Sequence, residues 1–140
     1  MTADSLTLGI DHIGLTVREL PLTLDFFVKC LGWKQVGEKP DYPAAFVSDG
    51  HVVLTLWQLK NEPARVEFDR KANVGLHHLA FRVGSEAALA EIFERVSHWP
   101  GATIDFAPEL LGAGPKQHTM IFEPGGIRIE FDYDPRVQTG

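Results

Sequence analysis

The chain has 140 residues, 44% of them apolar and 23% charged, with a formal net charge of −6. That length fits one domain burying about two-thirds of the surface its unfolded chain exposes, and the unbiased composition excludes a disordered polymer. An acidic balance without a basic run argues against a phosphate-backbone partner, so nucleic acid is not expected.

The first ten residues carry neither a basic region nor a long apolar stretch, and no segment approaches the ~20 apolar residues of a membrane span. A cytosolic protein without membrane contact is expected, and a single cysteine fits a reducing compartment. The first element is a strand over 10–17, where apolar residues recur at every second position. A helix follows over 21–31, with Pro21 suited to its first turn and Gly32 just past its end. Within it Cys30 stands near Phe26, Phe27, Val28 and Leu31, which predicts a buried packing residue rather than a reactive thiol. Three shorter strands complete the unit, the last two joined about Ser48-Asp49-Gly50. Residues 60–74 are charged, contain Pro63 and keep no period, so they read as a linker.

The same order then recurs. A strand over 76–83 leads to a helix over 85–98 with Ser85 as its cap, a glycine- and proline-punctuated connection spans 108–115, and a final hairpin turns about Glu123-Pro124-Gly125-Gly126. The recurrence is visible residue by residue. Gly9-Ile10-Asp11-His12-Ile13-Gly14-Leu15-Thr16-Val17 aligns without a gap on Gly75-Leu76-His77-His78-Leu79-Ala80-Phe81-Arg82-Val83, an offset of 66 that sets His12 on His78 and Trp33 on Trp99. Ser48-Asp49-Gly50-His51-Val52-Val53-Leu54-Thr55-Leu56 aligns on Glu123-Pro124-Gly125-Gly126-Ile127-Arg128-Ile129-Glu130-Phe131 at an offset of 75, setting Thr55 on Glu130. The longer connection at 108–115 absorbs the difference. The chain is therefore read as α+β, one domain of two tandem βαβββ modules at about 7–59 and 75–133. A doubly wound sheet is excluded, because it needs a helix after most strands.

Alternation decides which side chains meet. Ile13, Leu15 and Val17, like Leu79, Phe81 and Val83, point to their helices, and His77 shares that parity. His12 and His78 point the other way. On the last strands Ile127, Ile129 and Phe131 belong to the core, while Arg128 and Glu130 face oppositely, as Val53, Thr55 and Trp57 do in the first module. Curved sheets turn such helix-free faces into a concavity, which brings His12, His78, Glu130 and Thr55 toward one centre. Two neutral imidazoles and one carboxylate make a facial set that leaves positions open for water and substrate, and Zn²⁺, Fe²⁺, Mn²⁺, Co²⁺ and Ni²⁺ all suit it. A single strand histidine is more often structural; three such residues at pseudo-symmetric positions of one parity point to a metal.

Asp11-His12-Ile13-Gly14-Leu15, the stretch from Phe26-Phe27 to Leu31-Gly32-Trp33, His78-Leu79-Ala80-Phe81 and Glu123-Pro124-Gly125-Gly126-Ile127-Arg128-Ile129-Glu130 together resemble the vicinal oxygen chelate superfamily. Its members include glyoxalase I, extradiol dioxygenases, fosfomycin-resistance proteins and bleomycin-resistance proteins, and the resemblance covers nearly the whole chain. It implies curved mixed sheets around a concave site, with ligands at His12, position 55, His78 and Glu130. Thr55 departs from the His/Glu/His/Glu set of glyoxalase-like members. The remaining His12, His78 and Glu130 resemble the sets of extradiol dioxygenases and fosfomycin-resistance transferases, although the transferases' serine- and tyrosine-rich loop is missing and Gly14 stands where they have a threonine. The family pattern also places His118 on the concave face, as a general acid/base or substrate anchor. Thr55, Trp57, Phe46, Met120 and Arg128 are the expected substrate contacts. The implied function is a divalent-metal-dependent enzyme, a lyase, isomerase or dioxygenase, acting on a small substrate chelated through neighbouring oxygens. The alternative is a non-catalytic module that sequesters a drug-like molecule, as bleomycin-resistance relatives do. The family further implies a homodimer, with the site formed within one chain or across two.

Overall fold

The computed structural model describes residues 4–137. The first module consists of β1 (His12–Val17), α1 (Leu20–Asp25), β2 (Lys34–Lys39), β3 (Ala44–Ser48) and β4 (Val53–Gln58). The second consists of β5 (Leu79–Val83), α2 (Glu86–Ser97), β6 (Thr103–Leu110), β7 (Gln117–Phe122) and β8 (Arg128–Tyr133). Each module forms a four-stranded mixed sheet, in the orders β1-β4-β3-β2 and β5-β8-β7-β6. In both, the first strand pairs parallel with the last and the other neighbours run antiparallel. The α+β tandem predicted from the repeat is the observed architecture, with curved sheets that do not close. Between the modules the chain is irregular apart from one 3₁₀ turn at Glu62–Ala64, and no helix among the described residues is long and apolar enough to cross a membrane.

Local sequence explains most boundaries. Ser85 caps α2 by accepting a hydrogen bond from the Ala88 amide at 3.0 Å, and Gly32 takes a φ of +80° past the first helix. Two elements differ from expectation. The helix expected over 21–31 begins as α1 but widens into a π-helical turn at Phe26–Cys30, where the Leu31 amide reaches back to the Phe26 carbonyl at 3.1 Å. The widened turn accompanies full burial of two consecutive rings, Phe26 and Phe27, together with Cys30. The connection expected over 108–115 begins only at Leu111, because Pro108, Glu109 and Leu110 still belong to β6. That strand lies at the sheet edge, where a missing amide hydrogen leaves no ladder bond unmade, and its register shifts between Phe106 and Glu109.

One core serves both modules. Leu15, Val17, Leu54 and Leu56 of the first join Leu79, Leu89, Ile121 and Ile129 of the second in a single buried cluster, each such side chain contributing about 1.5–3 kcal/mol. Phe81 meets Trp33 and Phe27 of the first module edge-on at 5.1 and 6.5 Å and Phe131 of its own module at 6.1 Å. A polar clamp reinforces the junction. The Thr23 hydroxyl donates to the buried Glu123 carboxylate at 2.9 Å, which also accepts from the amides of Gly125 and Ile127.

Candidate metal centre

The site is built on the helix-free face of the second sheet. Register sets His118 opposite Asp132 and Met120 opposite Glu130 across β7 and β8, so His118 reaches diagonally to its neighbour. Its Nδ1 donates to Glu130 Oε2 at 2.6 Å. Glu130 Oε1 faces His78 Nε2 at 3.5 Å. His78 stands just before β5, and its Nδ1 shares a hydrogen bond with His77 Nδ1 at 2.7 Å. Burial holds His77 below its usual imidazole range, with the charges of His78, Arg128 and Arg70 adding to the effect, which suits a neutral acceptor.

His12 mirrors this arrangement. Its Nδ1 bonds the carboxylate of the preceding residue, Asp11, at 2.7 Å. In each module, then, the residue before the histidine holds Nδ1 and leaves Nε2 free. Fixing one ring nitrogen by hydrogen bond while the other ligates is the usual outer-shell device at metal sites.

The structure brings His78, Glu130 and His118 together. No ion pair or hydrogen bond among the described residues joins His12 to them, and its side chain is 56% exposed. Among the described residues the three-member cluster of metal-ligand type, with ligand atoms within 4.8 Å of one another, is His118, Glu130 and Asp132. Asp132 was not singled out in the sequence, although stepping by two from Arg128 and Glu130 reaches it. Its Oδ1 is buried without a hydrogen-bond partner, and desolvation, then the Glu130 charge, push its carboxyl above the usual range.

The remaining expected contacts divide between the sheets. Thr55, Trp57 and Phe46 lie on the open face of the first. Trp57 Nε1 donates to Thr55 Oγ1 at 2.9 Å, and Gly14 leaves the room this requires, since a Cβ there would lie 3.2 Å from that oxygen. The Trp57 ring packs against Tyr42 at 4.6 Å and Phe46 at 6.0 Å. Met120 is buried beside Glu130. Arg128 is tied by Nη2 to Asp105 at 2.9 Å rather than to Glu130.

The chemistry fits a divalent ion. Two ligands at about 2.1 Å subtending a roughly tetrahedral angle stand about 3.4 Å apart, and the His78 Nε2 to Glu130 Oε1 separation is 3.5 Å. With Oε2 occupied by His118, Oε1 remains as the free donor.

Fold and site together define a two-module α+β protein with an imidazole–carboxylate face. The chain belongs to the Glyoxalase/Bleomycin resistance protein/Dioxygenase superfamily, whose profile matches residues 9–131. Among solved structures it is similar to a glyoxylase/bleomycin resistance protein/dioxygenase domain from Frankia sp. EAN1pec, at 25% identity and a TM-score of 0.77 over 93% of this chain and 99% of that one. A glyoxalase-related enzyme from Fulvimarina pelagi matches at 21% identity and 0.75, over 96% and 94%. Lactoylglutathione lyase from Agrobacterium tumefaciens matches at 19% and 0.69, over 92% and 96%. No curated protein matched the chain at a significant level.

Proposed function

We propose that this chain is a divalent-metal-dependent enzyme acting on a small substrate through two neighbouring oxygens, as a cytosolic homodimer. In this reading His78 Nε2, Glu130 Oε1 and the Nε2 of His12 hold the ion, with His12 supplied by the first module of the partner copy. The carrying observation is the 3.5 Å spacing of His78 and Glu130, each fixed from behind by its own hydrogen bond. Exposure of His12 with its Nε2 free supports a ligand offered to another chain.

A bound ion would supply Lewis acidity toward a chelated pair of substrate oxygens. The protein's own groups do the rest. His118 holds a proton at Nδ1 against Glu130, while its Nε2 lies 3.7 Å from Glu109 Oε1 and can exchange a proton at the rim. Thr55 is committed to Trp57 and to the Ile13 carbonyl, which leaves the fourth corner of the ligand set to water or substrate. Trp57, Tyr42 and Phe46 form an apolar wall suited to excluding water.

The test is metal analysis of protein purified without chelators, followed by titration with Zn²⁺, Mn²⁺, Fe²⁺, Co²⁺ and Ni²⁺. One ion per chain is expected, and His78→Ala should lose it while keeping the native circular dichroism. A protein that takes up none of the five refutes the enzyme reading. It would favour the alternative, a drug-sequestering module, for which the Trp57, Tyr42 and Phe46 wall is the supporting observation.

A further inference from the structure

A cleft of about 430 Å³ lies between β1, the linker and the β7–β8 hairpin, with His77 on its lining. Its size suits a small organic ligand. The protein is acidic overall, yet four of its seven arginines, Arg18, Arg65, Arg70 and Arg128, line this one cleft, with Glu67 as its single lining carboxylate. Glu67 is shared between Arg18 and Arg65, and Arg128 is tied to Asp105. Arg70 makes no ion pair among the described residues. The same lining carries apolar side chains, Val66, Phe68, Leu76, Phe122 and Ile127.

Although exposed, the linker wall is shaped locally. The Phe68 ring lies on Gly75, so close that a Cβ there would stand 2.9 Å from it. The Asp69 amide donates to Asn73 Oδ1 and the Lys71 amide to Asp69 Oδ1, at 2.6 and 2.9 Å. Arg18 anchors the segment to β1 through Glu67. Apolar side chains beside several guanidinium groups are complementary to an amphipathic anion, and guanidinium groups match carboxylate and phosphate oxygens in pairs.

We infer that this cleft binds a small molecule with an apolar body and a carboxylate or phosphate head, the head held by Arg70 with Arg128 beside it. Its lining includes none of the three proposed ligands and it needs no ion, so its failure would leave the metal reading standing.

The probe is 8-anilinonaphthalene-1-sulfonate, titrated by fluorescence into metal-free protein, with the uncharged N-phenyl-1-naphthylamine as control. One saturable site per chain is expected, binding the sulfonate dye at least tenfold tighter than the neutral one. Arg70→Glu should weaken the sulfonate dye about tenfold, as loss of a charged hydrogen bond implies. Lys71→Glu makes the same charge change one residue away, where the side chain does not line the cleft, and should shift it less than twofold. Laurate and dodecyl phosphate should both displace the dye, the stronger competitor identifying the preferred head. Equal effects of the two substitutions, equal affinity for the two dyes, or displacement by neutral dodecanol overturns the proposal. So does dye capacity that falls as protein concentration rises, since the cleft would then be filled by a second copy of the chain.

Discussion

At equivalent positions of the two sheets, the first module presents Ala44, Phe46, Thr55 and Trp57 where the second presents His118, Met120, Glu130 and Asp132. The helix-facing positions stayed interchangeable, Leu54 and Leu56 matching Ile129 and Phe131 in one core. Duplication therefore left the buried parity under one constraint, to fill a shared interior, and let the other parity diverge. One face became a cluster of imidazole and carboxylate groups, the other an aromatic wall. The single chemistry-bearing feature kept by both is the histidine at the start of the first strand with its Nδ1 held by the preceding residue.

The comparison can be broken first at the junction that sets one module on the other. Glu123 is 1% exposed and serves three donors, one of them across the junction. Glu123→Ala should cost about 3–5 kcal/mol, because it strands a buried hydroxyl and two amides. Thr23→Val should cost only about 1–2 kcal/mol, since the carboxylate keeps both amides. Urea unfolding measures both. Equal costs would mean that the hairpin amides contribute nothing.

His118 sharpens the metal face. As the hydrogen-bond partner that orients Glu130, it should lower metal affinity about 10–100-fold when replaced by Ala, less than the complete loss expected for His78→Ala. Calorimetric titration with Zn²⁺ separates these outcomes, and a His118→Ala protein that binds no metal would promote His118 to a ligand.

The smallest effect concerns Asp132. Its folded pKa is raised, so the folded chain holds that proton more tightly than the unfolded one. Stability is then lost as pH rises from the unfolded carboxylate range through the raised value. In metal-free protein, Asp132→Asn should raise Tm at pH 7, and the gain should vanish near pH 3, where both side chains are neutral. A gain that persists at pH 3 would point to packing instead.

Much of this was legible in the sequence, for identifiable reasons. The offsets of 66 and 75 revealed the tandem because the core repeats with the fold, and strand parity separated Glu130 and His78 from the interior. The contact between His118 and Glu130 was not legible, since it depends on the β7–β8 register. Nor was the Thr23–Glu123 bond, which joins residues 100 apart in the chain. Pro108 misled because a proline reads as a breaker until its strand is known to lie at an edge. The π-helical turn escaped because periodicity places a helical stretch and says nothing of how its final carbonyls pair.

The most direct measurement is X-ray absorption at the zinc edge on the Zn²⁺-loaded protein. Two imidazoles and one carboxylate are expected around the ion, with one imidazole lost in His12→Ala, measured in Zn²⁺ excess, and no bound ion in His78→Ala. A first shell unchanged by both substitutions, or one with no imidazole at all, would contradict the account.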